Sequence, residues 1–112
     1  MKKKNRLLTN RDFKNVLDKR ISVSCGEFVV YVKKNDLGYA RIGISVSSKI
    51  GNSVVRHKIK RQINEMIKNN VDLNKGLDFV IIARNNFLSN TFCENEESLK
   101  KMFFKLYKRE EK

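Results

Sequence analysis

Six cations, Arg41, Lys49, Arg56, Lys58, Lys60 and Arg61, stand between Leu37 and Asn64 in a stretch that holds no acid. Arg56 and Lys60 are one helical turn apart, as are His57 and Arg61, and Lys58 widens the basic arc. The complementary face is a stripe of Val55, Ile59, Ile63, Met66 and Ile67. A basic helix face can neutralise phosphates arriving from several directions, which suits a folded RNA recognised mainly by shape. The plainer reading is a solvated helix surface. Backbone amides at the start of this helix, beside Lys49 and Gly51, add a second phosphate-binding feature. Across 112 residues the net charge is +13, and a folded domain carrying that excess calls for a polyanion.

Other chemistries find little to work with. The two cysteines, Cys25 and Cys93, have no CxxC or Cys/His metal spacing and read as reduced thiols. His57 is the sole histidine and has no ligand partner in sequence. The twelve acids are dispersed; Asp12, Asp18, Asp72 and Asp78 stand singly and read as caps and turn residues. A catalytic site and a protein-held metal are therefore not expected. No apolar run approaches the roughly 18 residues that would span a bilayer. Met1-Lys2-Lys3-Lys4 is followed only by Leu7-Leu8 where a signal peptide needs a longer apolar region, so a cytoplasmic protein is expected.

The elements that must position the basic face can be read from periodicity. Thr9-Asn10-Arg11-Asp12 resembles a capping box, and Phe13, Val16, Leu17 and Arg20 follow at helical spacing, predicting a helix over about 10–20. Phe28-Val29-Val30-Tyr31-Val32-Lys33 is rich in β-formers and precedes the turn-prone Asn35-Asp36-Leu37-Gly38, which predicts a hairpin. Its second arm, Tyr39 to Ser47, puts Ala40, Ile42, Ile44 and Val46 on one face and Arg41, Gly43, Ser45 and Ser47 on the other. The small residues of that second face leave room for a ligand or a packed helix. Gly51-Asn52-Ser53 caps a helix reaching about Asn69. Leu77 to Ala83, apolar but for Asp78, reads as a buried central strand. A last helix over about 92–108 has Leu99, Met102, Phe103, Leu106 and Tyr107 as its stripe, Glu94, Glu96 and Glu97 early, and Lys105, Lys108 and Arg109 late. With no proline and no repeat, residues 1–112 read as one domain. The expected fold is α+β: a small mixed β-sheet of about four strands packed with three helices, in the order α-β-β-β-α-β-α.

Residues Ser45-Val46-Ser47-Ser48-Lys49-Ile50-Gly51-Asn52-Ser53-Val54-Val55-Arg56-His57-Lys58-Ile59-Lys60-Arg61 resemble the signature of the bacterial ribonuclease P protein, in which a strand ends in a Ser-Lys-basic-apolar-Gly-Asn-Ala-Val run and enters an Arg-Asn-Arg helix. Asn5-Arg6-Leu7, Asp12-Phe13, Phe28-Val29-Val30-Tyr31 and Asp78-Phe79-Val80-Ile81-Ile82-Ala83-Arg84 extend the resemblance over nearly the whole chain. Two departures stand out. Arg56-His57-Lys58 replaces Arg-Asn-Arg, losing the middle amide and one planar guanidinium, and Leu17 stands where the family often has a second aromatic.

The resemblance implies a subunit of an endoribonuclease that removes the 5′ leader of precursor tRNA. It implies that the RNA subunit performs the Mg²⁺-dependent hydrolysis, with Mg²⁺ held mainly through that RNA, and that the protein alone is inactive. It assigns contacts with the catalytic RNA to Lys49, Asn52, Arg56, His57, Lys58, Lys60 and Arg61, and contacts with the leader to Phe13, Leu17, Tyr31, Ser45 and Ser47. The implied partners are the catalytic RNA and precursor tRNA, without a membrane and without a required protein partner. Charge and composition alone fit another RNA-binding protein equally well, such as a ribosomal protein of α+β build. A protein-only nuclease would need a carboxylate cluster, and a membrane-surface protein would have to expose Ile59, Ile63 and Ile67.

Overall fold

A computed structural model describes residues 3–7 and 9–110, except for the side chains of Arg109 and Glu110. Met1, Lys2 and Leu8 of the opening run, and the Arg109 charge expected in the last helical turn, lie outside the described residues.

Three helices, α1 (Asn10–Asp18), α2 (Ser53–Asn70) and α3 (Phe92–Glu110), pack on four strands, β1 (Ser22–Ser24), β2 (Phe28–Lys34), β3 (Arg41–Val46) and β4 (Leu77–Ala83). The helices begin where side chains can satisfy open backbone amides. Thr9 Oγ1 accepts from Asp12 N at 3.1 Å, and Asn52 Oδ1 accepts from Val55 N at 3.0 Å. At α3 the cap is reciprocal: Glu94 N donates to Thr91 Oγ1 and Thr91 N to Glu94 Oε1. The first helix ends earlier than its apolar spacing predicts. Arg20 adopts a left-handed φ of 58° and its N–H returns to Leu17 O, so it terminates the helix instead of extending the stripe.

The sheet order is β1-β2-β4-β3, which corrects the expected hairpin. β2 and β3 are not neighbours, because β4 lies between them, antiparallel to β2 and parallel to β3. The physical reason is burial on both faces of β4: six of its seven residues, all but Ile82, are buried, and such a strand belongs at the sheet centre. The crossover β3-α2-β4 provides the parallel pair, with the 18-residue helix as its connection. The loop that would have turned the hairpin is instead tied to the entry of β4, with Asn35 N donating to Gly76 O and Ala40 N to Leu73 O.

One sheet face carries the main core. Phe28, Val30 and Val32 of β2, Phe79 and Ile81 of β4, and Ile42 and Val46 of β3 are covered by Ile59, Ile63, Met66 and Ile67 of α2 and by Leu99, Met102, Phe103 and Leu106 of α3. Each such buried side chain contributes about 1.5–3 kcal/mol before the entropy of ordering is subtracted. The opposite face is covered only in part. Val80, Val16 and Leu7 form a small cluster beneath α1, with Phe13, Leu17, Tyr31 and Ile82 half-buried around it. The N-terminal segment covers β3, with Leu7 N donating to Ile42 O and the buried Asn5 amide to Ala40 O.

Candidate nucleic-acid interface

Register places the predicted site residues on the α1 side of the sheet in rows. Tyr31, Val80 and Gly43 form one row, with Ser22 beyond Tyr31; Val29, Ile82 and Ser45 form the next, with Ser24 at its edge. α1 covers the first row. The Phe13 ring lies so close over Gly43 that a Cβ there would stand 2.4 Å from Phe13 Cζ. The room left by small residues on β3 is thus filled by a helix side chain. In the second row Val29 and Ile82 are half-buried and Ser45 is exposed, so a shallow floor runs beside Leu17 and Tyr31. Phe13, Leu17 and Tyr31 are brought together in one cluster, and Ser45 borders it. Ser47 is beyond the strand end, where its hydroxyl accepts from Lys49 N at 3.1 Å.

The basic residues lie on α2 and the turn leading into it. Lys49, Asn52, His57, Lys58, Lys60 and Arg61 are exposed, while Ile59, Ile63, Met66 and Ile67 point into the core. Asn52 is engaged through its Oδ1 as the helix cap. Arg56 is half-buried, and its Nε is enclosed without a hydrogen-bond partner among the described residues. Arg56, Lys60 and Asn64 recur at four-residue spacing on one flank of the helix. A groove of about 180 Å³ joins that flank to the α1 side, lined by Arg6, Phe13, Gly43, Lys60 and Asn64 among others. Asn64 Oδ1 is also enclosed and unpaired. The groove connects the basic helix with the aromatic cluster.

Arg6 and Asn64 were absent from the predicted site. Arg6 had its charge and its place in the Asn5-Arg6-Leu7 match as signals, and Asn64 only its spacing from Arg56 and Lys60. Asp78 corrects the expectation of a turn residue: it is buried within β4 and bonded to Arg41, which removes Arg41 from the free cations of the Leu37–Asn64 stretch. Asp72 does act as a turn residue, accepting from Asn74 N at 2.9 Å.

The Cys25 thiol is not set up for nucleophilic chemistry. Burial, and then the hydrogen bond to Glu27, push the Cys25 thiol above its ordinary pKa, and Cys93 is exposed; both are free. Among the described residues no three His, Cys, Asp or Glu side chains group as a metal site. No helix among them is long and apolar enough to cross a membrane.

Comparison with known proteins bears on the family and the fold. The family model described as Ribonuclease P matches residues 1–107. The ribonuclease P protein component of Mesoplasma florum is 41% identical over 110 residues, covering 96% of this chain and all of that protein. That of Bacillus cereus strain 03BB102 is 46% identical over 105 residues, covering 92% and 91%. Among solved structures, a Staphylococcus aureus RNase P protein mutant with defective mRNA degradation activity superposes with a TM-score of 0.84 at 38% identity, covering 95% of this chain and 90% of that one. The Thermotoga maritima RNase P protein gives a TM-score of 0.72 at 32% identity, with coverage of 93% and 96%.

Proposed function

The chain belongs to the ribonuclease P protein family, and on that premise we propose that α2 docks on the catalytic RNA while the floor beneath α1 holds the leader of precursor tRNA. As a family member the chain is the protein component of the endoribonuclease that matures the 5′ end of tRNA, and its partner is the RNA subunit. The observation that carries the docking reading is the exposed basic flank of α2 continuing through the Arg6–Lys60–Asn64 groove to Phe13.

In this reading Lys49, Lys58, Lys60 and Arg61 neutralise phosphates of the catalytic RNA, and His57 lies on the same RNA-facing surface. Asn52 orders the helix start from which backbone amides face the RNA. Arg56, half-buried at the inner edge of this surface, adds its guanidinium charge to the field the RNA meets. Phe13, Leu17 and Tyr31 offer apolar and aromatic surface to unpaired leader bases, with Ser45 and Ser47 hydroxyls at the rim. Hydrolysis is assigned to the RNA subunit with its Mg²⁺, because the described side chains group no set of ligands that fits the ion. The same reading treats residues 1–112 as one working domain. It places the protein in the cytoplasm, where unpaired thiols such as Cys25 and Cys93 persist.

The test is reconstitution. The protein alone should leave precursor tRNA uncut, and adding the cognate RNA and Mg²⁺ should release the leader. Arg56→Ala and Arg61→Ala should each weaken RNA-subunit binding by about 1–3 kcal/mol and lower the salt slope by about one. Cleavage by RNA-free protein, or mutant salt titrations that overlay the parent, would overturn the assignment.

A further inference from the structure

The outer face of α3 repeats Glu97, Lys100, Lys101, Phe104, Lys105 and Lys108 at spacings of three and four. Phe104 is 62% exposed, and among the described residues no other aromatic ring is open to this extent. The core does not need it, since Leu99, Met102, Phe103 and Leu106 already bury the inner stripe. A shallow groove of about 290 Å³ runs along the ring between Glu97, Lys100, Lys101 and Lys105. Lys108 Nζ rests 5.2 Å from the Phe104 centroid. Lys101 and Lys105 are like charges one turn apart, and Lys105 and Lys108 are three residues apart; both spacings destabilise a helix. Glu97 is one turn from Lys100 and Lys101, and Glu94, a turn earlier on this face, is engaged in the helix cap. Repulsion without burial suits a partner that brings negative charge and a flat apolar surface.

We propose that this face of α3 is a second RNA-docking surface, where an unpaired nucleobase of the catalytic RNA subunit stacks on Phe104 and its flanking phosphates lie against Lys100, Lys101 and Lys105. Charge complementarity selects the partner class, and one ring in a lysine frame is the arrangement by which unpaired bases are held without sequence readout. Position selects the source. α2 and α3 cover the same sheet face, so an RNA docked on α2 lies on the side of the molecule from which α3 is reached, whereas the leader floor is on the opposite face beneath α1. Anionic lipid would need a broader apolar face than one ring. Lys108 covers the ring in the free protein, and the base takes its place. The proposal rests on the RNA reading of α2.

The experiment measures equilibrium binding of the full-length cognate catalytic RNA to the intact protein, with Arg61→Ala as reference. Phe104→Ala and Phe104→Leu should weaken binding about 5- to 100-fold, and Phe104→Tyr should bind as the parent does. The pair Lys101→Ala with Lys105→Ala should lower the salt slope by about two, one phosphate per lysine. Circular dichroism should match the parent throughout, because these side chains are exposed. If Arg61→Ala loses affinity while every Phe104 variant binds normally, the α3 surface is wrong and the α2 reading stands. If Arg61→Ala is also silent, both fall. If Phe104→Ala abolishes binding to phosphatidylglycerol vesicles and leaves RNA affinity intact, the face is a lipid surface and the proposal is overturned.

Discussion

Arg41 holds Asp78 through two parallel bonds, Nε to Oδ1 at 3.0 Å and Nη2 to Oδ2 at 2.7 Å, across the register position where β3 and β4 pair these two residues. Asp78 is 2% exposed and takes a third bond from Asn35 Nδ2 at 2.7 Å, so its carboxylate is compensated by a guanidinium and an amide. The hydrogen bonds to Asp78 hold the Arg41 guanidinium above its already high pKa. Asn35 thereby links the β2–β3 loop to the first turn of β4. The pair ties β3 to β4 in their parallel pairing, and with it the register that sets Gly43 beneath Phe13.

Arg41→Ala should therefore act on stability and not on RNA contact. Removing one partner leaves the Asp78 carboxylate buried with the Asn35 amide as its remaining side-chain donor among the described residues, a loss of about 3 kcal/mol, at the low end for a buried pair because Arg41 is part-exposed. Urea denaturation should show a lower midpoint at unchanged slope. RNA titrations well below the melting temperature should keep the parent salt dependence; a fall of one in that slope would place Arg41 at the interface.

Gly43→Ala should destabilise the protein by about 1–3 kcal/mol, because the new methyl and the Phe13 ring cannot share the space. Shortening the ring should relieve the clash. In thermal unfolding, Gly43→Ala combined with Phe13→Leu is expected to lose less than the two single changes added together; strict additivity would show that the ring moves aside freely.

Much of this was legible in the residues, and the gaps share a cause. Ile59, Ile63, Met66 and Ile67 announce α2, and the β4 run, apolar but for Asp78, announces a central strand, because both signals are local. Nothing in Asn35–Gly38 says that β4 will insert between β2 and β3; that is decided 40 residues downstream by a strand needing neighbours on both edges. Arg41 and Asp78 are 37 residues apart, so the cation counted with the basic stretch and the acid read as a turn residue could not be matched. The seating of Phe13 on Gly43 is also a tertiary fact. Periodicity correctly put Phe103 in the α3 stripe, yet it said nothing about what an adjacent exposed Phe104 is for.

Tyr107 should report on the far end of the sheet at alkaline pH. Burial, and then the nearby Asp72 charge, push its phenol up to about 12, while its hydroxyl donates to Asp72 O at 3.4 Å. A folded pKa above the unfolded value of about 10 means a contribution that is complete below pH 10 and lost as pH rises through 12. Absorbance at 295 nm should include a late tyrosinate step near that value, which Tyr107→Phe removes. A mutant with the same late step would place the slow phenol elsewhere.

The floor beneath α1 makes the most specific claim on function. Tyr31 is paired with Val80 and lies in the same cluster as Leu17 and Phe13, next to the half-open row of Val29, Ile82 and Ser45. If unpaired leader bases lie on that floor, each platform adds about 1–3 kcal/mol of stacking, and the gain exists only for substrates that carry a leader. In reconstituted holoenzyme, Tyr31→Ala should weaken binding of precursor tRNA with a leader of several nucleotides and leave mature tRNA affinity unchanged. Phe13→Ala should move the same way, but its ring also fills the space over Gly43, so its circular dichroism and melting temperature must be compared with the parent first. Trimming the leader should erase the difference between Tyr31→Ala and parent, since the stacking partner is then gone. Equal losses for precursor and mature tRNA in a folded Tyr31 variant would mean that this surface does not read the leader.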